Sequence, residues 1–344
     1  MAAPPIRDDL ANNPTNAEFK LAIGELWDYT TSLLGNEATV ALDSEKKLAR
    51  ESLGVGSFGF KNRFINPEFS VAQQYGASSV TVTAGAGNKY VIDRWYASAA
   101  GANITAQRIS GIGEREYSFR LTGSSGNTAV ILGHRIEGVN CFDFTNNNVT
   151  VSFDSKVSTA KTLAWTAYYA NSKDVFSSKT VIATGSINVT TSIDSYNFTF
   201  NAGANAGNGI AIEFSIGALG TAETIDFDEL QIEKSAIKTE FELRPYSIEL
   251  NMCQRYYEIM HVGFSNGAIS AIGQTLGGIF TFSAVKRVAP SVALVAGTDG
   301  QIAFPAGVAI YSVITNYYAL GFKTATAGNS NANWYQSISL SAEL

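Results

Sequence analysis

Apolar and polar residues alternate with a period of two over much of this chain. The runs Ser79–Thr83, Tyr117–Leu121, Val149–Phe153, Leu163–Tyr169, Tyr196–Phe200 and Ile210–Phe214 are rich in β-branched and aromatic residues. A strand with one buried face has this pattern, because successive side chains point to opposite sides. Clusters of Gly, Asn and Ser separate the runs, as at Gly123–Asn127 and Asn201–Asn205, and supply turn chemistry. Short strands at this spacing, without helical spacers, predict an antiparallel sandwich over residues 60–246, a jelly roll at this length. After Pro245, Glu249–Tyr257 reads as a linker with one helical turn running into a strand. Gly278–Phe282, Ser291–Val295, Tyr317–Phe322 and Gln336–Leu340 are again strand-like. Residues 247–344 therefore read as a smaller C-terminal β domain, whose exposed edges favour oligomerisation.

The period changes at the N-terminus. Pro4, Pro5 and Pro14 keep the beginning extended, and Thr15 with Glu18 forms a capping box. Phe19, Ile23, Leu26 and Leu33, with Thr30 in the same series, follow steps of four and three until Gly35 stops the helix. Two readings of residues 1–35 stand side by side. One is an amphipathic helix lying on a domain; the other is a short dimeric or trimeric coiled coil that gathers chains through Phe19, Ile23, Leu26 and Leu33. Residues 36–59 form a helical hinge, capped by Asp43 or Ser44 and ended by Gly54, and the Gly-Val-Gly-Ser-Phe-Gly run to Gly59 is a flexible link.

Composition removes several function classes. The chain has 344 residues and a net charge of −6, with no basic run, which argues against nucleic-acid binding through a phosphate-neutralising patch. Neither a secretory leader nor an apolar stretch of membrane-spanning length is present in the sequence. Two His and two Cys residues leave too few ligands for a zinc site, and Cys141 and Cys253 read as small buried hydrophobes. No Gly-x-Ser-x-Gly nucleophile element occurs. The acidic residues Asp226, Asp228, Glu229, Glu233, Glu240 and Glu242 offer carboxylates for glycoside hydrolysis, but a closing strand and its loop explain them equally well. The expectation is a protein that is not an enzyme.

An ordered series of motifs then becomes familiar. Asn62-Arg63-Phe64-Ile65-Asn66-Pro67-Glu68-Phe69 opens it, and Ile92-Asp93-Arg94-Trp95 and His134-Arg135-Ile136-Glu137 follow. Asp226–Glu233 and Phe241–Tyr246 come next, and Glu249-Leu250 with Cys253-Gln254-Arg255-Tyr256-Tyr257 closes the series. It resembles bacteriophage tail-fibre domains across roughly residues 44–260, with Pro67 where the family has Gly and His134 where it has Gln. Val285–Pro290 echoes a further element. The resemblance implies a carbohydrate-binding-like jelly roll, a distal knob and a homotrimer in the virion, made in the host cytoplasm. Residues 1–35 would bind other tail proteins, and the partner at the far end would be a bacterial surface glycan or an outer-membrane receptor. Two rivals are a virion decoration protein that binds no receptor and a monomeric carbohydrate-binding module.

Candidate site residues follow from that expectation. Aromatic rings stack on sugar faces while amides and carboxylates bind hydroxyls. In the jelly roll the candidates are Trp95, Trp165, Tyr168 and Tyr169; Trp165 and Tyr169 share one face of their strand and Tyr168 takes the other, and a place in the core is the competing reading for Trp95 and Trp165. In the knob, Asn331, Asn333, Trp334 and Tyr335 read as a polar recognition loop, against an ordinary hairpin turn. Many carbohydrate-binding jelly rolls hold a structural calcium where first and last strands meet, which makes Glu68, Asp226 and Asp228 candidate ligands. The competing reading is a carboxylate paired with an arginine such as Arg94 or Arg244.

Overall fold

The computed structural model describes residues 60–266, 275–295, 300–302, 308–313, 317–323 and 332–344. Phe19, Ile23, Leu26, Leu33 and the hinge lie outside the described residues. Residues 60–344 make one compact unit.

Twelve of the strands form two antiparallel sheets. The first runs β1 (Val80–Val82), β4 (Ile104–Ser110), β5 (Tyr117–Thr122), β12 (Thr224–Glu233), β7 (Asn148–Val157), β10 (Asp194–Asn201). The second runs β2 (Lys89–Ile92), β3 (Trp95–Ala100), β6 (Ala129–Ile136), β11 (Ile210–Ser215), β8 (Lys161–Ser172), β9 (Val175–Val189). Their inner faces share one apolar core, the sandwich that the alternation predicts. Phe153 meets Phe214 with ring centroids 5.0 Å apart, and Phe227 joins both. Each such ring, fully buried, contributes roughly 1.5–3 kcal/mol. β12, the last strand of the sandwich, lies in the middle of its sheet between β5 and β7.

The chain before the first strand is fastened to β12. Arg63 N–H donates to the Ile232 carbonyl at 2.9 Å, and the Asn62 amide spans the Leu230 carbonyl and the Ile232 N–H. β12 carries a bulge between Asp228 and Gln231, with Glu229 at φ 48°. A bulge of this kind re-aims the strand that follows it.

Among the described residues two α-helices interrupt the strands. The short α1 (Gly138–Cys141) follows β6, and α2 (Tyr246–Gln254) leads out of the sandwich. The predicted single turn is thus a nine-residue helix, which buries Glu249 and Cys253, four positions apart and therefore on one face. Beyond it, β13 (Tyr257–Asn266), β19 (Ala332–Ser341) and β15 (Ser291–Leu294) form a sheet in that order, and β16 (Gly300–Ile302) also pairs with β19. β14 (Thr275–Thr281), β18 (Tyr317–Lys323) and β17 (Val308–Val313) form another. The smaller C-terminal β region expected from the sequence is these two sheets.

Candidate functional site

The motif residues come together first, and they form a joint. Asp93 and Arg94 make the two-residue turn between β2 and β3, with Arg94 at φ 70°. Asp93 accepts from the Gln73 backbone N–H at 2.8 Å and from its side-chain amide at 2.5 Å. Trp95 packs edge-on to His134 and Phe69, and its indole N–H donates to the Asn66 carbonyl at 2.8 Å. His134 is fully buried. Burial first, then the nearby Arg94 charge, pushes its pKa well below the usual histidine value, so Nε2 is free to accept the Ile65 N–H at 3.2 Å. Arg244 donates to the Asn62 and Phe64 carbonyls and pairs with Glu249 at 2.7 Å, and Arg255 pairs with Glu137 at 3.0 Å. Asn62, Phe64, Asn66, Phe69, Arg94, Trp95, His134, Arg244 and Glu249 of the series are therefore buried structural residues.

The calcium candidates are engaged differently from expectation. Arg120 on β5 grips Asp226 with two parallel bonds of 2.7 and 2.8 Å, the strongest geometry for such a pair. The arginine reading holds for Asp226, with Arg120 in place of Arg94 or Arg244. Asp228 accepts from Ser118 Oγ at 2.9 Å and from the Glu229 N–H at 2.8 Å. Burial pushes its carboxyl up to about 6, and Glu229 and Asp154 add to the effect. Glu68 is instead raised mainly by burial, and Arg115 and Ser70 oppose the shift. Among the described residues no group of three or more His, Cys, Asp or Glu is placed to hold a metal.

Of the two readings of Trp165, the core one holds. Trp165 is buried in the sandwich, stacked on Phe198 with centroids 3.8 Å apart and planes at 7°. Gly185 opposite it leaves space for the indole, since a Cβ there would come within 2.6 Å of the ring. Trp165 is thus a core residue, and Tyr169, opposite Ile210, lies half-buried on the same side. Asn331 lies outside the described residues. Asn333, Trp334 and Tyr335 belong to β19, paired with β13 on one side and β16 on the other, so the expected recognition loop is a strand at these three positions. The aromatic pair suits a strand as well as a loop, and only the pairing decides.

Alternation along β11 sends Ile210, Ile212 and Phe214 into the core and leaves Ala211, Glu213 and Ser215 on the outer face of the second sheet. Tyr168 on β8 pairs with Ala211 and shares that face. Glu213 organises it. Its Oε1 accepts from the Tyr96 hydroxyl at 2.8 Å and from the Lys179 ammonium. Tyr96 reaches it across Gly133, where a Cβ would come within 2.3 Å of the Tyr96 ring, so a glycine is required. Lys179 also sits 3.9 Å over the Tyr168 ring, a cation–π contact that fixes both side chains. Thr166 and exposed Thr184 continue the row across β8 and β9. The result is a half-buried face on which the Tyr168 ring packs against Ala170, Phe176 and Ala211 and lies beside the Glu213 carboxylate, the Lys179 ammonium and threonine hydroxyls. Period two gave Tyr168 this face, but only the burial of Trp165 shows which face is outside.

No family model and no curated protein matches the chain. Among solved structures, it is similar to the enzymatically active domain of tailspike protein 4 of bacteriophage CBA120. That likeness has 16% identity and a TM-score of 0.34 and covers 50% of this chain but 21% of that one. It is also similar to the family 11 carbohydrate-binding module of Clostridium thermocellum in complex with a mixed-linked tetrasaccharide, at 14% identity and a TM-score of 0.31 over 46% of this chain and 98% of the module. The CBM22-1 xylan-binding domain of Paenibacillus barcinonensis Xyn10C stands at 14% identity, a TM-score of 0.31, 52% and 100%.

Proposed function

We propose that the protein binds bacterial surface glycans, as a homotrimeric receptor-binding fibre of a phage virion. The observation that carries the glycan reading is the outer face of the second sheet. There Lys179 and Glu213 hold the Tyr168 ring side with polar groups around it. A pyranose presents an apolar face to such a ring and hydroxyls to its neighbours. Attachment to the virion through residues 1–35 and gathering of three chains rest on the motif series and on the Phe19–Leu33 spacing. Three copies would turn weak sugar contacts into avid adsorption. Binding is favoured over hydrolysis because Asp226 is held by Arg120 and Asp228 is buried with both oxygens engaged.

The test is a screen of the full chain against an array of purified bacterial surface polysaccharides, with light scattering of the same sample. Tyr168→Ala should weaken every positive signal at least tenfold without changing the melting temperature. A particle of three chains supports the fibre. A monomer that still binds sugar favours the stand-alone module, and a trimer that binds none favours the decoration protein.

A further inference from the structure

The outer face of the second sheet is open at one end and walled at the other. Exposure falls steadily along β8 and β9. Thr162, Ala164, Thr184 and Ser186 are exposed, Tyr168 is half-buried, and Ala170 and Phe176 are buried. A residue buried on the outer side of a sheet needs a cover, and Leu344 supplies part of it. Leu344 packs against the cluster of Ala170, Phe176 and Ala211, as Tyr168 does. In the other direction the face runs open from Tyr168 back to Thr162, about 20 Å at the ordinary rise of a strand.

The wall is tied down along its length. The Leu344 carbonyl accepts from the Tyr90 hydroxyl at 3.1 Å and from the Arg135 guanidinium. Arg287 donates to the Ala342 and Glu343 carbonyls at 3.1 Å each, and the Glu343 carboxylate pairs with Arg94. The Arg135 guanidinium also lies 5.0 Å from the Tyr96 ring and 5.4 Å from the Phe176 ring, which closes the same end further. Hydrogen bonds from charged donors are the stronger kind, and lifting this segment would break several at once. A polymer lying across a face needs both ends of it clear, whereas a chain terminus needs only one.

We infer, resting on the glycan reading of this face, that it takes the end of a glycan chain and not an internal stretch. The terminal unit lies at Tyr168, stopped by Leu344 and flanked by Glu213 and Lys179, and the units that follow run toward Thr162 past the exposed Thr184 and Ser186. Leu344 is then a specificity-determining residue, which sets where on a polysaccharide the protein attaches.

The experiment is a competition assay with the full chain bound to the immobilised polysaccharide that the array identifies. The competitors are linear fragments of that polysaccharide, made by partial acid hydrolysis and separated by length. A chain-end site gives the same half-inhibiting molar concentration for a fragment ten times longer, because each fragment carries one such end. An internal site gives a value about tenfold lower, because the number of binding positions grows with length. The parent should show the first behaviour, and Leu344→Ala, with the wall removed, the second. A melting curve reports whether Leu344→Ala is folded; if it is not, the parent series alone decides. A parent whose potency rises with length, or a folded Leu344→Ala that stays indifferent to length, overturns the inference. If no fragment competes, or if Tyr168→Ala binds like the parent, the glycan reading of the face fails and the chain-end reading falls with it.

Discussion

The guanidinium of Arg94 lies 3.5 Å from the centre of the Tyr256 ring, joining the β2–β3 turn to the residue just before β13. Both side chains are fully buried, and the same guanidinium donates to the Arg135 carbonyl and pairs with Glu343. Arg94 thus holds a left-handed backbone conformation that glycine would adopt more easily, and its side-chain contacts offset the strain. Removing one partner of a buried ion pair costs about 3–5 kcal/mol. Arg94→Ala should lose that much in urea denaturation. Arg94→Lys, which keeps the charge but not the planar stack, should fall between the two. An alanine variant as stable as the parent would show that the stack contributes nothing.

Trp165 and Tyr168 are three positions apart on β8 and should behave oppositely. Trp165→Ala empties a core site against Phe198, a change that costs roughly 3–5 kcal/mol. Tyr168→Ala removes a half-buried ring and should change stability by under about 1 kcal/mol while weakening polysaccharide binding at least tenfold. Thermal melts and the glycan array, run on both variants, read the two effects separately. Loss of binding without loss of stability in Trp165→Ala would contradict the placement.

Asp228 makes stability depend on pH in a defined direction. Its folded-state carboxyl sits near 6, above the roughly 3.9 of an unfolded chain. The folded protein therefore binds a proton more tightly. That contribution is fully present below about pH 4 and is lost as pH rises through about 6. Asp228→Asn keeps the hydrogen-bonding shape and removes the buried charge. It should stabilise the protein by about 1–3 kcal/mol at pH 8 and by little at pH 4. Urea titrations of both proteins at the two pH values measure the difference. An equal effect at both would mean that Asp228 does not titrate in this window.

Calcium should leave the described fold indifferent. Both Asp226 oxygens are taken by Arg120, and calcium requires six to eight oxygens. The melting temperature is expected to be the same in millimolar calcium as in EDTA. A rise of several degrees with calcium would mean that Asp226 exchanges its arginine for a metal.

Local information determined much of this protein. Alternation in Val149–Phe153 or Tyr196–Phe200 depends only on neighbouring residues, so the strands, their turns and the antiparallel sandwich were legible in the sequence. The same alternation separated Tyr168 from Trp165 and Tyr169. It could not say which side faces water, because an aromatic ring suits a core and a binding face equally. That was settled by Phe198 and Gly185, brought from distant strands to enclose the Trp165 indole. The same holds for Trp334 and Tyr335, whose place in β19 depends on partners in β13 and β16, and for Asp226, whose partner Arg120 arrives from β5. The motif residues were visible as a series, but their role as a joint required Arg94, Glu343 and Tyr256 to converge. Strand periodicity is set by the chain's own geometry, whereas burial, ion pairing and cavities belong to contacts between residues far apart in sequence, and those exist only once the sheets have packed.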